Sequence, residues 1–237
     1  MNIAMIIAGG KGARMNQDIP KQFLNIHDKP VIVYTMQAFQ KHPEIDKMIV
    51  VCIDGWQEIL KAYARQFNIT KLEWVVAGGE NGQASIQNGL SELKKHCDGS
   101  DMVLVHDGIR PNVSQEIISN CIADCRLHGS AITVIPCAEA MLLRDGDGSC
   151  SSAVIPRDSL ARTQTPQAFL LDKLWWAHEE AKKCGITDSV ASCTLMVELG
   201  ETVHFCPGSE KNIKITTTED IEIFKALLMA KKDDWLK

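Results

Sequence analysis

The sequence has no apolar run that approaches the roughly 20 residues needed to cross a bilayer. Its start also lacks the charged segment and apolar core of a secretory signal peptide, because Met1 and Asn2 lead directly into a strand pattern. Its 25 Lys and Arg residues are outnumbered by 30 Asp and Glu residues, a formal net charge of -5. This balance gives no general reason to expect nucleic acid or an anionic membrane as a partner. We therefore expect a cytoplasmic protein with neither partner.

The nine cysteines do not indicate a disulfide framework. Their number is odd and no pair has the Cys-x-x-Cys spacing, which favours reduced thiols. Cys121 and Cys125 would share a helix face, but the neighbouring sequence does not offer two further metal ligands. We interpret most of the cysteines as small buried hydrophobic residues.

A glycine-rich turn near the N-terminus lacks the spacing of two familiar nucleotide motifs. The apolar segment from Ile3 to Ala8 runs into Gly9-Gly10-Lys11-Gly12, and no Gly-Lys-Ser/Thr of a P-loop follows it. The dinucleotide motif Gly-x-Gly-x-x-Gly is also incomplete, because Met15 stands where the third glycine belongs.

Two cations follow this turn, Arg14 and Lys21. Backbone N–H groups of a glycine turn can approach an anion closely, and the two side chains would add permanent charge. The pattern favours a triphosphate site, with a purely structural turn as the alternative.

Short β-branched segments alternate with amphipathic ones along the chain. The strand patterns cover Ile3 to Ala8, Met48 to Ile53, Leu72 to Val76, Met102 to His106 and Ala131 to Ile135. The helix patterns cover Val31 to Lys41, Trp56 to Phe67, Ala84 to Lys95 and Ser114 to His128. The alternation predicts an α/β fold, with a Rossmann-like, mostly parallel sheet and helices on both faces. No linker or repeat is evident, so residues 1–237 are predicted to form one domain.

Residues 138–156 break this alternation. Met141 to Leu143 and Ala153 to Ile155 flank a turn rich in Asp and Gly, which predicts a β-hairpin arm. Two strands rarely stand alone in water, so we expect the arm to pack on a partner, with a surface hairpin on its own domain as the alternative. The remaining patterns are helices at Leu170 to Lys183 and Asp188 to Leu199, strands at Val203 to Phe205 and Asn212 to Ile215, and a final helix capped by Thr217 and Asp220.

Four groups of polar or glycine residues would meet at the carboxyl edge of such a sheet, where ligands bind. They are the turn with Arg14 and Lys21, Gly78-Gly79-Glu80 with Ser85, Asp107 with Arg110, and Arg157 with Thr163 to Gln167 and Lys214.

These groups resemble the cytidylyltransferases that make CDP-alcohols, namely the 2-C-methyl-D-erythritol 4-phosphate and ribitol-5-phosphate enzymes. The matching motifs, in the family's order, are Ala8-Gly9-Gly10-x-Gly12-x-Arg14-Met15, Pro20-Lys21-Gln22-Phe23, His106-Asp107-x-x-Arg110-Pro111, Thr165-Pro166-Gln167 and Asn212-Ile213-Lys214-Ile215-Thr216. The resemblance spans the chain and implies a fold like that of the nucleotide-diphospho-sugar transferases.

The resemblance implies a role for each group. Arg14 and Lys21 would be catalytic, with Mg²⁺ bridging triphosphate oxygens. The nucleotide would be held by Ala8, Gly9, Gly10, Gly12, Gly79 and Ser85. Asp107 would hold the metal or a substrate hydroxyl, and a helix cap is the alternative for it.

The alcohol phosphate would be bound by Asp107, Arg110, Arg157, Thr165 and Lys214. In relatives the arm reaches across a dimer, so Arg110 and Arg157 are expected to serve either their own or the neighbouring subunit's site. Surface ion pairs are the alternative for each arginine.

Two departures bear on the alcohol. Glu139-Ala140-Met141 replaces an Asp-Thr-Met-type segment whose threonine binds substrate in the methylerythritol enzymes, and Asn81-Gly82-Gln83 replaces an arginine usually found after the Gly-Gly pair. We therefore favour an alditol phosphate, such as ribitol phosphate for capsule or teichoic acid, over methylerythritol phosphate and isoprenoid synthesis. A nicotinamide oxidoreductase or a non-catalytic relative is a further alternative, but the first lacks its glycine and the second would have lost Arg14, Lys21 or Asp107.

Overall fold

The computed structural model describes residues 1–10 and 19–232, and only the backbone of the last two of these. The strands are β1 (Asn2–Ala8), β2 (Asn25–Ile26), β3 (Lys29–Pro30), β4 (Lys47–Cys52), β5 (Leu72–Ala77), β6 (Met102–Asp107), β7 (Ser130–Pro136), β8 (Met141–Asp145), β9 (Cys150–Ile155), β10 (Ala161–Leu170) and β11 (Phe205–Pro207). The helices are α1 (Val31–Lys41), α2 (Gln57–Gln66), α3 (Gly82–Leu93), α4 (Gln115–His128), α5 (Leu171–Cys184), α6 (Ser192–Glu198) and α7 (Thr218–Lys232). Short 3-10 turns lie at Lys21–Phe23 and Arg157–Ser159. No described helix is long and apolar enough to cross a membrane.

Within the described residues, seven strands form the main sheet in the order β11-β7-β10-β6-β1-β4-β5. β1 pairs in parallel with β4 and β6, β4 with β5, and β11 with β7. β10 is antiparallel to both of its neighbours, β6 and β7. The mostly parallel sheet predicted from the sequence is therefore confirmed.

Both faces of the sheet are covered by helices, as predicted. Successive strand residues point to opposite faces, so Ala4 and Ile6 pack with α1, α2 and α4, whereas Ile3 and Met5 pack with α3, α5 and α6. All four side chains are fully buried. This explains why the central strands are apolar throughout rather than alternating.

The hairpin predicted within residues 138–156 is formed by β8 and β9, which pair antiparallel with Leu142 opposite Val154. Almost every residue in these strands is exposed, and Leu142 and Val154 retain 63% and 68% of their accessible surface. The arm thus presents apolar side chains outside both sheet cores.

Two segments differ in kind from their predictions, and two others differ in their bounds. β10 was not predicted, because Arg162 to Pro166 is polar and contains a proline; the strand accommodates it with a register shift between Thr163 and Gln167. The strand predicted at Asn212 to Ile215 is wrong, since this segment is a loop whose Ile215 packs with Phe224 of α7. In addition, α6 is shorter than its pattern and β11 begins two residues later than predicted.

Candidate active site

The carboxyl ends of β1, β5 and β6 open onto one edge of the sheet, because β1, β4, β5 and β6 are all parallel. Gly9, Gly78 and Asp107 stand at these ends. The structure therefore brings together described residues of three sequence clusters, and Thr165 and Lys214 of the fourth contact Asp107.

Of the glycines in this region, Gly79 is packed too closely to carry a side chain and Gly9 is tightly packed. A Cβ on Gly9 would lie 3.2 Å from the Cα of Gly78, and one on Gly79 would lie 2.5 Å from the Cβ of Ala84. A Cβ on Gly10 would meet nothing within 4 Å. The backbone of β1 thus approaches the β5 loop directly, while Gly10 borders open space.

Ser85 connects this loop to the first turn of α3. Its buried Oγ accepts from the Gly79 N–H at 3.0 Å and donates to the Asn81 carbonyl at 2.8 Å. The Asn81 side chain caps the helix by accepting from the Ala84 N–H at 2.8 Å. The Ser85 hydroxyl hydrogen is therefore already used in a hydrogen bond, whereas its oxygen can accept one more.

Gln22 lies in the turn that follows the glycine segment and was given no role by sequence reasoning. Its side chain is 1% exposed, and its Nε2 donates to the carbonyls of Ala8 at 2.8 Å and Gly10 at 3.1 Å. The adjacent Phe23 stacks on Trp56, with ring centroids 4.6 Å apart. These contacts fix the turn that begins with Lys21 against the end of β1.

The proposed catalytic pair is described only in part. Lys21 is half-buried at the start of its turn. Gly12 and Arg14 lie outside the described residues, so their predicted roles stay predictions.

Asp107 is the centre of an ionic cluster at the end of β6. Its carboxylate accepts from Arg110 Nε at 3.0 Å and from Lys214 Nζ at 3.1 Å. Its backbone N–H donates to Thr165 Oγ1 at 3.0 Å. Four residues predicted to bind the alcohol phosphate are therefore in contact, although Lys214 is 107 positions from Asp107 in the chain.

The charges in this cluster set the protonation state of Asp107. Burial acts to raise the pKa of its carboxyl, but the neighbouring Lys214 and Arg110 outweigh that effect and hold the pKa below its ordinary value. Asp107 is therefore an anion at neutral pH.

His106, on the same strand, is buried and neutral. Its Nε2 donates to the Arg110 carbonyl at 3.1 Å, and burial lowers its pKa to about 4. Its ring is fully buried within the fold.

Asn212 holds the segments of the cluster together and was not singled out from the sequence. It is fully buried, its backbone carbonyl accepts from Arg110 Nη1 at 2.7 Å, and its Nδ2 donates to the Thr165 carbonyl at 2.9 Å. The signal in the sequence that could have identified Asn212 is its place in the matched motif, two residues before Lys214.

A cavity of about 260 Å³ adjoins Arg110 and Lys214. Asn212 and Gln164 contribute to its wall, together with an ion pair between Arg162 and Glu210. Sequence reasoning missed Arg162 and Glu210, because neither belongs to a recognised motif.

Arg157 lies at the base of the arm rather than among the residues that line this cavity. Its Nη1 donates to the Ala138 carbonyl at 2.9 Å, and its side chain is 58% exposed. Its predicted role in substrate binding stays a prediction.

A parallel sheet with a close-packed glycine turn and an ionic cluster at its carboxyl edge is the arrangement expected of a nucleotidyltransferase. The sequence profile of the family described as IspD, 2-C-methyl-D-erythritol 4-phosphate cytidylyltransferase, matches residues 2–230. The chain belongs to this family, and it is a cytidylyltransferase.

Three similar proteins illustrate the match. Ribitol-5-phosphate cytidylyltransferase of Lacticaseibacillus paracasei is 42% identical over 98% of this chain and 100% of its own length. 2-C-methyl-D-erythritol 4-phosphate cytidylyltransferase of Clostridium botulinum is 35% identical over 96% and 97% of the two chains. The crystal structure of 4-diphosphocytidyl-2C-methyl-D-erythritol synthase from Anaerococcus prevotii superposes with a TM-score of 0.82, at 26% identity and 96% coverage of both chains.

Proposed function

We propose that this enzyme transfers the cytidylyl group of CTP to an alditol phosphate, with ribitol 5-phosphate as its principal substrate, and releases pyrophosphate. A phosphate oxygen of the alditol phosphate attacks the α-phosphorus of CTP, and the bond from that phosphorus to the bridging oxygen breaks. The products are a CDP-alditol and pyrophosphate. The observation that carries the proposal is the ionic cluster of Asp107, Arg110 and Lys214 beside the glycine turn.

The nucleotide would lie over Gly9 and Gly79. A side chain at Gly79 would overlap Ala84 and one at Gly9 would crowd Gly78, and because neither position carries a Cβ a base can approach the backbone. Ser85 Oγ donates its hydrogen bond to the Asn81 carbonyl, so its oxygen can accept one from the amino group that distinguishes cytosine from uracil. Gly10 and Gly12 would face the phosphates.

The reaction needs charge compensation more than it needs a base. A phosphate monoester has a second pKa of about 6 and is largely a dianion at neutral pH. The barrier comes from bringing this dianion to a polyanion and from the charge that gathers on the departing oxygen. Lys21, which precedes Gln22 in the turn after the glycine segment, would supply positive charge there, together with Arg14.

Mg²⁺ fits the residues present at this site. The described residues contain no group of three or more His, Cys, Asp or Glu side chains that could form a protein cage. Mg²⁺ in phosphate-transfer sites uses one or two carboxylates with phosphate oxygens and water instead, and Asp107 supplies one ionised carboxylate. When bound there, the ion would neutralise charge on the triphosphate.

The phosphate of the alditol phosphate would replace the Asp107 carboxylate as the partner of Arg110 and Lys214. Arg110 and Lys214 are the cations nearest that carboxylate, and a phosphate group is the stronger competitor for their N–H donors. The Thr165 hydroxyl contacts the same Asp107. Arg157 would join from the base of an arm, in its own or the neighbouring subunit.

Ribitol 5-phosphate is favoured over methylerythritol phosphate by two observations. The relative named for ribitol 5-phosphate is more similar to this chain than the relative named for methylerythritol phosphate, at 42% against 35% identity. Ala140 also removes the hydroxyl expected of a methylerythritol enzyme. We place the product in the synthesis of a surface polymer such as capsule or teichoic acid.

We also infer a homodimer formed through the arm. Its apolar side chains are exposed without covering their own sheet, and a lone two-stranded hairpin is marginal in water. All nine cysteines of the sequence lie in the described part and are free thiols, which supports a cytoplasmic location.

Pyrophosphate release with CTP tests the proposal against a substrate panel. Ribitol 5-phosphate, erythritol 4-phosphate, 2-C-methyl-D-erythritol 4-phosphate and glycerol 3-phosphate are each supplied with Mg²⁺. We expect the highest kcat/KM with ribitol 5-phosphate. A higher kcat/KM with methylerythritol phosphate would reassign the enzyme to that substrate. The absence of pyrophosphate release with every alcohol phosphate would refute the proposal.

A further inference from the structure

The cavity beside the ionic cluster extends beyond the residues that would bind phosphate. Its volume is about 260 Å³. Arg110 spans its boundary, because Arg110 Nε faces Asp107 while Nη1 donates to the Asn212 carbonyl at 2.7 Å. A chain whose phosphate met Arg110 and Lys214 could therefore continue into this space.

An ion pair also lines the cavity. Arg162 Nη1 of β10 donates to Glu210 Oε1 at 3.0 Å, with the two side chains 45% and 67% exposed. Neither residue bonds to Asp107, Arg110 or Lys214 among the contacts recorded for the described residues. The pair offers a guanidinium donor and a carboxylate acceptor side by side, which is what a row of hydroxyl groups requires.

A second observation concerns Asn212, which lines the same cavity. The Asn212 Nδ2 donates to both Gln164 Oε1 and the Thr165 carbonyl, which fixes the orientation of the amide. Its Oδ1 is buried and has no hydrogen-bond partner in the described structure. An unsatisfied buried acceptor is costly, and a hydroxyl donor would satisfy it.

We propose, on the basis of the proposed function, that this cavity binds the hydroxylated end of the alditol phosphate and that Arg162 and Glu210 determine the chain length accepted. Hydrogen bonds from hydroxyls to charged groups are stronger than neutral ones. A five-carbon alditol reaches the ion pair, whereas a shorter chain leaves it solvated and gains nothing from it. Sites that bond a substrate hydroxyl discriminate strongly against substrates that lack it.

The test compares Arg162→Met and Glu210→Gln with the control Arg126→Met. The control breaks the Arg126–Glu44 pair on α4, which has a similar length of 2.8 Å and similar exposure of 55% and 40%. For each protein, kcat/KM is measured for ribitol 5-phosphate and erythritol 4-phosphate, and calorimetry gives the Kd of each compound. We expect the five-carbon to four-carbon ratio to fall about tenfold in both site variants, which corresponds to 1.4 kcal/mol, and to stay unchanged in the control.

Two results would overturn this assignment. One is an unchanged ratio in folded Arg162→Met and Glu210→Gln enzymes, with melting temperature as the check on folding. The other is an equal loss for both substrates, which would mean that the pair acts on the fold or on phosphate. If the wild-type enzyme released no pyrophosphate with any alditol phosphate, the proposed function would fail separately. The ratio of the calorimetric Kd values for the two compounds would still decide whether the cavity discriminates between chain lengths.

Discussion

Gln22 donates its side-chain amide to the carbonyl of Ala8 at 2.8 Å, across the end of the first strand. The Ala8 carbonyl also accepts from the Ile53 N–H at 3.0 Å, so both of its lone pairs are engaged. Because the peptide is planar and trans, a carbonyl held toward Gln22 directs the Gly9 N–H to the opposite side. The residue next to the proposed catalytic lysine therefore orients the turn that would hold the nucleotide.

Replacing Gln22 with Glu should weaken CTP binding at least about tenfold. A carboxylate cannot donate, so the carbonyls of Ala8 and Gly10 would each lose a bond and face a negative charge. An unsatisfied buried group costs about 1–3 kcal/mol, and tenfold in Kd is 1.4 kcal/mol. Calorimetric titration with CTP measures the change.

Gln115→Glu is the matched control for this change. Gln115 Nε2 also donates to a backbone carbonyl, that of Ala38 at 2.8 Å, but on the exposed side of α4. It should leave the Kd for CTP unaltered. A folded Gln22→Glu enzyme with wild-type affinity would show that this amide does not shape the nucleotide site.

His178 should make the protein less stable as the pH falls from about 6.5 to 4. Burial lowers its pKa to about 4, whereas the unfolded chain has a value near 6.5, so the unfolded state binds more protons in this window. Stability is therefore lost on acidification, by about 2 kcal/mol between pH 7 and pH 5 from this residue. His178→Leu should reduce the loss by that amount in urea unfolding at the two pH values.

The exposed His128 on α4 supplies the control for this measurement. His128→Leu should retain the wild-type loss of stability. Part of the loss should persist in His178→Leu as well, because His106 has a similarly lowered pKa. A wild-type pH dependence in His178→Leu would contradict the assignment.

Leu142→Glu should dissociate the proposed dimer. Leu142 is paired with Val154 across the arm, and a charge there would be buried if the arm packs on a second copy. Sedimentation velocity should show a dimer for the wild type and a monomer for the variant. Leu127→Glu, at a leucine that is 75% exposed on α4, should remain dimeric; a monomeric wild type would refute the dimer.

The alternation of apolar segments predicted most of the fold because each element is specified locally. Helix α1 matches its predicted bounds at Val31 and Lys41, since Pro30 precedes it and its apolar side chains recur at helical spacing. β10 could not be predicted in this way. It becomes a strand only because β7 pairs with both of its ends and β6 pairs with Gln167 to Leu170.

The site residues that could be predicted from the sequence are charged or hydroxyl residues that stand in the matched motifs. Asp107, Arg110, Thr165 and Lys214 were predicted and are in contact. Arg162 and Glu210 were not, because their proximity depends on how the loop after β11 folds back toward β10. Gln22 lies in a matched motif but was given no role, since its bonds to backbone carbonyls depend on how the turn folds against β1.

The turnover number of Lys21→Ala is the most direct test of the central claim, that positive charge beside the glycine turn drives cytidylyl transfer. Removal of one transition-state donor costs about 10²–10³ in kcat, so we expect kcat for pyrophosphate release to fall at least about a hundredfold with an unchanged melting temperature. Lys61→Ala, at an exposed lysine on α2, should keep the wild-type rate. A folded Lys21→Ala enzyme with near-normal kcat would contradict the account.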